Sequence, residues 1–180
     1  MGTIYTIGHS NHSLETFLGL LGAHEIETLV DIRSYPGSRK FPWFGRKELE
    51  VTLPIRYVWL GESLGGRRRG QVEGSGNEGW RSASFRSYAD YASFNPNFLV
   101  GLDQLERLAR ERRVAYMCSE YTHRKCHRGI LSDWLWAQGW EVEHILSNGH
   151  LERHEPTSFA RVRDGVVWYP ASLGKTREQG

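Results

Sequence analysis

Short apolar runs alternate with amphipathic stretches along this chain. Five runs, at Thr3–Ile7, Thr28–Ile32, Ile55–Leu60, Val114–Cys118 and Val142–Leu146, have the length and apolar content of buried strands. Between them the apolar positions fall at helical spacing. Ser13 is a natural N-cap for a helix through Leu14, Phe17, Leu18 and Leu21, which Gly22 helps to stop. Lys47 to Leu53 reads as a short helix broken before Pro54, and Phe85 to Phe94 repeats its aromatics at helical spacing. Asn95-Pro96 opens an amphipathic helix over Phe98–Arg110 through Leu99, Leu102, Leu105 and Leu108. From Cys126 onward, Ile130, Leu131, Trp134 and Leu135 mark another buried face.

Strand and helix in alternation predict one three-layer α/β domain of Rossmann-like kind, residues 1–180, around a mostly parallel sheet of about five strands. A C-terminal tail starts near residue 150, where Val166–Pro170 reads as an edge strand or a packed segment. Two connections resist assignment to regular elements. Arg33–Gly45 holds two prolines and two glycines among basic and aromatic residues, and a glycine-rich stretch from Gly61 to Gly79 is long for a compact domain. In open α/β sheets ligands sit beyond the carboxyl ends of strands. The segment that organises the chain is therefore Val114–Trp136, where a strand runs through a polar turn into a helix.

Composition narrows the function classes. No apolar run reaches membrane-spanning length, and MGTIYTIGHS lacks the basic and apolar regions of a signal peptide, so a cytoplasmic location is expected. Two cysteines cannot build a disulfide framework and are expected as thiols. The net charge of +2 does not by itself mark a nucleic-acid binder. The charge is nevertheless clustered at three loops: Arg33, Arg39, Lys40, Arg46 and Lys47; Arg67, Arg68 and Arg69; and Arg124, Lys125 and Arg128. Together they suit a polyanion or a phosphorylated ligand, although each cluster alone reads as solvated loop charge. The first turn, Gly8-His9-Ser10-Asn11, is not G-x-G-x-x-G, so no dinucleotide cofactor is indicated.

The groups suited to chemistry stand at strand ends. Asp31 and Glu120 are two carboxylates that suit acid–base work or the stabilisation of a cationic sugar-like transition state. Their structural alternatives are a clasp holding Arg33 or His9 for Asp31, and an ion pair with Arg33 or Arg128 for Glu120. Cys126 near a helix start, with His127 or His123 as base, is a candidate nucleophile, against the commoner fate of a small packed thiol. Cys118, His123, Cys126 and His127 only loosely evoke zinc, and no metal is expected from them. Arg128 with the first turn of its helix suits an anion, and His9, Ser10 and Asn11 offer donors and acceptors at the neighbouring strand end. Phe41, Trp43 and Phe44 could stack on a base, or simply cover the core.

These segments resemble domain-of-unknown-function family 488. The resemblance rests on Tyr5–Asn11, on Val30–Ser34 with Pro36 and Ser38, on Leu64-Gly65-Gly66-Arg67-Arg68, on Met117–Glu120 and on Cys126-His127-Arg128. The chain departs from the family pattern in the basic insert Tyr121–Lys125. Some members are associated with excision of modified bases such as 5-hydroxymethyluracil from DNA. The resemblance thus implies a cofactor-free DNA glycosylase with DNA as its partner. Asp31 and Glu120 would act as its catalytic acids, and His9, Ser10, Asn11, Arg33, Ser34, Ser38, Cys126 and His127 as its substrate-binding set. Phe41 and Trp43 would support an extruded nucleotide, and Arg67, Arg68 and Arg128 would hold phosphates. A Cys126-dependent thiol enzyme acting on an anionic small molecule and a non-catalytic nucleic-acid-binding module are the alternatives.

Overall fold

The computed structural model describes residues 2–172, so the last eight positions of the C-terminal tail lie outside the described residues. Five strands run parallel: β1 (Thr3–Gly8), β2 (Thr28–Asp31), β3 (Arg56–Trp59), β4 (Val114–Cys118) and β5 (Glu141–Ile145). A sixth, β6 (Leu151–Arg153), pairs antiparallel with β5, and the order across the sheet is β3-β2-β4-β1-β5-β6. The helices are α1 (Leu14–Ala23), α2 (Arg46–Thr52), α3 (Gly61–Leu64), α4 (Ala83–Phe94), α5 (Pro96–Glu111) and α6 (Arg128–Ala137). A separate hairpin joins β7 (Arg161–Arg163) and β8 (Val166–Trp168). Among the described residues, no helix is long and apolar enough to cross a membrane.

Strand pleating splits the core into two layers. Successive side chains on a strand face opposite ways. Val114, Tyr116 and Cys118 of β4 therefore join the layer under α4, α5 and α6, while Ala115 and Met117 join the layer under α1 and α2. Burial on both faces explains why these strands read as unbroken apolar runs. The chain leaves β1 through α1 on one face and leaves β4 through α6 on the other. The carboxyl ends of β1 and β4 are thus the topological switch point, where such sheets open a crevice.

Three local features sharpen the expectations. Cys126 stands near the start of the last long helix, as expected, but outside it. It closes a 3-10 turn at His123–Lys125, so α6 begins at Arg128. The glycine-rich connection opens with the helical turn α3, which sequence periodicity is too short to register. Of the two readings of the Val166 run, the packed segment holds and the edge of the main sheet does not. The run forms half of a hairpin whose Val167, with Tyr169 just beyond, packs into the α4–α6 layer.

The C-terminal segment is pinned by a buried polar chain. Asp133 of α6 accepts from Tyr169 Oη at 2.7 Å, from the Thr157 N–H at 3.0 Å and from His154 Nε2 at 2.8 Å. His154 Nδ1 is then free to accept from His144 Nε2 at 2.9 Å, and His144 Nδ1 from the Thr6 hydroxyl at 2.6 Å. In this direction every donor of the relay points toward Asp133, and burial with the neighbouring rings and cations holds His144 below its ordinary value. Replacing Asp133 by Ala orphans three buried donors at once, and a loss of about 3 kcal/mol in unfolding free energy is expected from urea titration. Tyr169→Phe removes one donor and should cost about 1 kcal/mol.

Candidate functional site

The switch point opens into a cavity of 790 Å³. Parallel pairing continues past the strands on its floor, where the His9 N–H donates to the Cys118 carbonyl at 2.9 Å and the Ser10 N–H to that of Ser119 at 3.0 Å. Ser10 then turns through a left-handed φ of 46°, a conformation that costs free energy outside glycine and concentrates at functional sites. A side-chain carbon at Gly8 would overlap the Glu120 carbonyl, so only glycine lets the two strand ends meet here. Gly65 and Gly66 play the same part in the opposite wall. A side chain at Gly65 would strike Ser34 and one at Gly66 would strike the His127 ring, while the Arg67 N–H donates to Ser34 Oγ at 3.1 Å.

The two predicted acids part company. Glu120 is exposed and lines the cavity. Asp31 is fully buried and does not reach it. Its Oδ1 accepts from the Arg33 N–H at 3.0 Å and Nε at 2.9 Å, and its Oδ2 from Arg33 Nη2 at 2.7 Å and Tyr57 Oη at 2.5 Å. Strand parity sends Asp31 toward the α1–α2 layer, where Tyr57 and Phe44 lie. Asp31 is therefore the clasp that aims Arg33. Arg33 lines the cavity and extends Nη1 to His9 Nε2 at 3.4 Å, while its Nη2 also donates to the Phe44 carbonyl at 2.7 Å. His9 Nε2 must accept from a guanidinium, so the ring proton sits on Nδ1, which donates to the Ser10 carbonyl at 2.9 Å.

The other predicted residues divide similarly. Ser10, Asn11, Ser34, Ser38, Phe41, Cys126 and His127 all line the cavity, with Lys40, Arg67 and Lys125 at its rim. Trp43 does not. Its indole donates to the His12 carbonyl at 2.9 Å and its ring packs against Phe41, so it buttresses that side chain from behind. Arg68 folds back onto the carbonyls of Gly65 at 2.9 Å and Glu62 at 2.5 Å and over the Tyr91 ring, on a neighbouring groove. Arg128 is only 2% exposed and lies beneath the floor. Its Nη2 reaches the Glu120 carbonyl at 3.4 Å, its Nε has no partner, and among the described residues no carboxylate comes within 4.0 Å of it.

Sequence reasoning singled out Cys126 and passed over Cys118. The two sulfurs are 3.0 Å apart and both line the cavity. Burial pushes the Cys118 thiol up. The hydrogen bond from Cys126, the Arg128 charge and a backbone hydrogen bond at Glu120 outweigh it and bring the thiol below its ordinary value. Cys126 is pushed up, by burial and by its neighbour. The acidic thiol is therefore Cys118. The one available signal was its place as the last residue of a strand at the switch point, eight positions before a second cysteine.

His123, His144 and His154 bring ligand nitrogens within 4.8 Å of one another. A metal cage does not follow. The nitrogens of His144 and His154 are taken by the Thr6-to-Asp133 relay, and the His123 and His144 rings are stacked 3.5 Å apart and 3° from parallel, which stops both lone pairs from converging on one ion. The family model described as "Domain of unknown function DUF488" matches residues 13–135. No curated protein and no solved structure matches the chain.

Burial holds His9, His123 and His127 down to about 4. The unfolded chain takes up protons at these rings near 6.5, whereas the folded chain does so only near 4. Their contribution to stability is thus complete above 6.5 and lost as pH falls through the window to 4. Urea midpoints should fall across that window, and His123→Asn should flatten the slope. An unchanged slope would exclude the ring as a source.

Proposed function

The chain belongs to the DUF488 family, and from that premise and the cavity geometry we propose that it hydrolyses the N-glycosidic bond of a modified pyrimidine in DNA. The observation that carries the reading is Glu120, an exposed carboxylate sharing one cavity with the clamped Arg33 guanidinium beneath a basic rim. The volume falls in the range of about 300–1,000 Å³ typical of small-ligand sites. A base extruded from the duplex would stack on Phe41. Lys40, Arg67 and Lys125 would meet the flanking phosphates.

The roles follow from protonation and partners. Glu120 accepts a proton from water as the water attacks the sugar carbon and the bond to the base nitrogen breaks. Its negative charge also favours the cationic sugar in that transition state. The departing base carries the bonding electrons. Arg33, held rigid by Asp31, donates to that developing anion as a preorganised donor. His9 and His127 are neutral near pH 7, so they position and do not act as imidazolium acids. Asp31 contributes through Arg33.

DNA duplexes carrying single modified pyrimidines, scored for abasic sites, test the reading. Glu120→Gln should fold normally and lose about 100-fold or more in rate. Asp31→Asn should lose both activity and roughly 3 kcal/mol of stability, since it breaks a buried charge pair. Salt-dependent DNA binding with no base released from any duplex would leave only a binding module. Loss of activity in Cys118→Ser but not in Glu120→Gln would move the chemistry to the thiol.

A further inference from the structure

Hydrolysis at Glu120 leaves the pair of thiols in the cavity floor without a task. Cys118 ends β4, and Cys126 stands two residues before α6, with seven residues between them. Both thiols are free and buried, their sulfurs are 3.0 Å apart, and both residues border the cavity. A disulfide bond of ~2.05 Å needs the sulfurs to approach by about 1 Å. The connecting turn holds no regular structure beyond one 3-10 turn.

The surroundings make the two sulfurs unequal. Arg128 is a buried cation with no carboxylate within 4.0 Å among the described residues and an unpartnered Nε. Against burial, the hydrogen bond from Cys126 and the Arg128 charge favour ionisation of the Cys118 thiol. Cys126 keeps its proton, and two acceptors face it: Cys118 Sγ at 3.0 Å and His127 Nδ1 at 3.4 Å. His127 uses Nε2–H to donate to the Ile32 carbonyl at 3.2 Å, which leaves the Nδ1 lone pair toward the thiol.

We propose that Cys118 and Cys126 are a redox couple, in which a hydroperoxide entering the cavity oxidises Cys118 and Cys126 resolves the product to an intrachain disulfide. In the first step the Cys118 sulfur bonds to a peroxide oxygen as the O–O bond breaks. Sulfur gives up two electrons, the peroxide takes them, and the oxygen released, hydroxide from hydrogen peroxide or alkoxide from an organic hydroperoxide, takes a proton from solvent and leaves as water or alcohol. In the second step the Cys126 sulfur attacks the sulfenic sulfur, the S–S bond forms and the S–O bond breaks. The Cys126 proton passes to His127 Nδ1 and on to the departing hydroxide, which leaves as water. An external dithiol restores both thiols. The bond closes the turn that carries Glu120, and the couple does not depend on the reaction proposed for that residue.

The test uses the full chain, reduced and then freed of reductant, with equimolar hydrogen peroxide. Intact mass should fall by two hydrogen atoms, both thiols should disappear from a thiol titration, peptide mapping should join Cys118 to Cys126, and dithiothreitol should reverse all three. With dimedone present, Cys126→Ser should be trapped as a sulfenic adduct at Cys118, whereas Cys118→Ser should label at Cys126 about ten-fold less or lower. The wild-type measurements stand even where a variant misfolds. Two thiols surviving peroxide, a bond between chains, overoxidation without an intrachain bond, or equal labelling of the variants would each overturn the couple. Base release is scored separately on reduced protein. A disulfide without base release removes the glycosylase reading alone, and base release without a disulfide removes the couple alone.

Discussion

Arg128 carries its charge into the protein at the worst electrostatic place on a helix. It is the first residue of α6, where the helix dipole is already positive, and it is almost wholly buried. Such a cation persists only if its surroundings are arranged for it. Here the turn after β4 wraps around it. The Glu120 carbonyl comes within 3.4 Å, Gly8 gives up a side chain so that this carbonyl can lie over β1, and, against burial, the Cys126 hydrogen bond and the guanidinium charge draw the Cys118 thiol down. The main chain at Glu120 is thereby fixed from below while its carboxylate stays free above. A rigid backbone under an exposed acid is the arrangement that holds a reactive group in place.

The opposite wall uses a different device. Asp31 spends all its acceptor capacity on Arg33 and Tyr57, and the result is one guanidinium edge presented to the cavity at a set angle. Arg33 is raised above its ordinary value because the Asp31 hydrogen bond and charge outweigh burial, so it stays a cation at any working pH. The wall holds its charge while the neutral His9 and His127 hold theirs off. The cavity accordingly offers one free carboxylate among fixed positive groups and uncharged rings.

Three of the parallel strands, β1, β2 and β4, were legible because they are buried on both faces and so are largely apolar. β6 was not, since Leu151 and Arg153 are exposed and the strand is held by pairing with β5 alone. Much of the cavity lining was legible from the residues just beyond β1 and β4, because the chain there leaves the strands at the switch point. Asp31 and Trp43 show where such reasoning stops. Asp31 is the last residue of its strand, and parity gives it to the α1–α2 layer, where one position further on would have turned it the other way. Trp43 lies in a loop whose path no periodicity records. The glycines at positions 65 and 66 were visible as a motif, but their reason, the close passage of one turn past Ser34 and His127, exists only in three dimensions.

The strand order has a consequence for how the chain comes to be. β1 is made first and lies in the middle of the sheet, yet its neighbours arrive late. Tyr5 pairs with Ala115 on one side, and Thr3 with Glu141 on the other. During synthesis the central strand waits with both edges bare until β4 has emerged, and with one edge bare until β5 has. Contacts of such long reach make for slow closure and a sticky nascent chain. The cavity between β1 and β4 therefore cannot exist before β4 and the turn after it have been made.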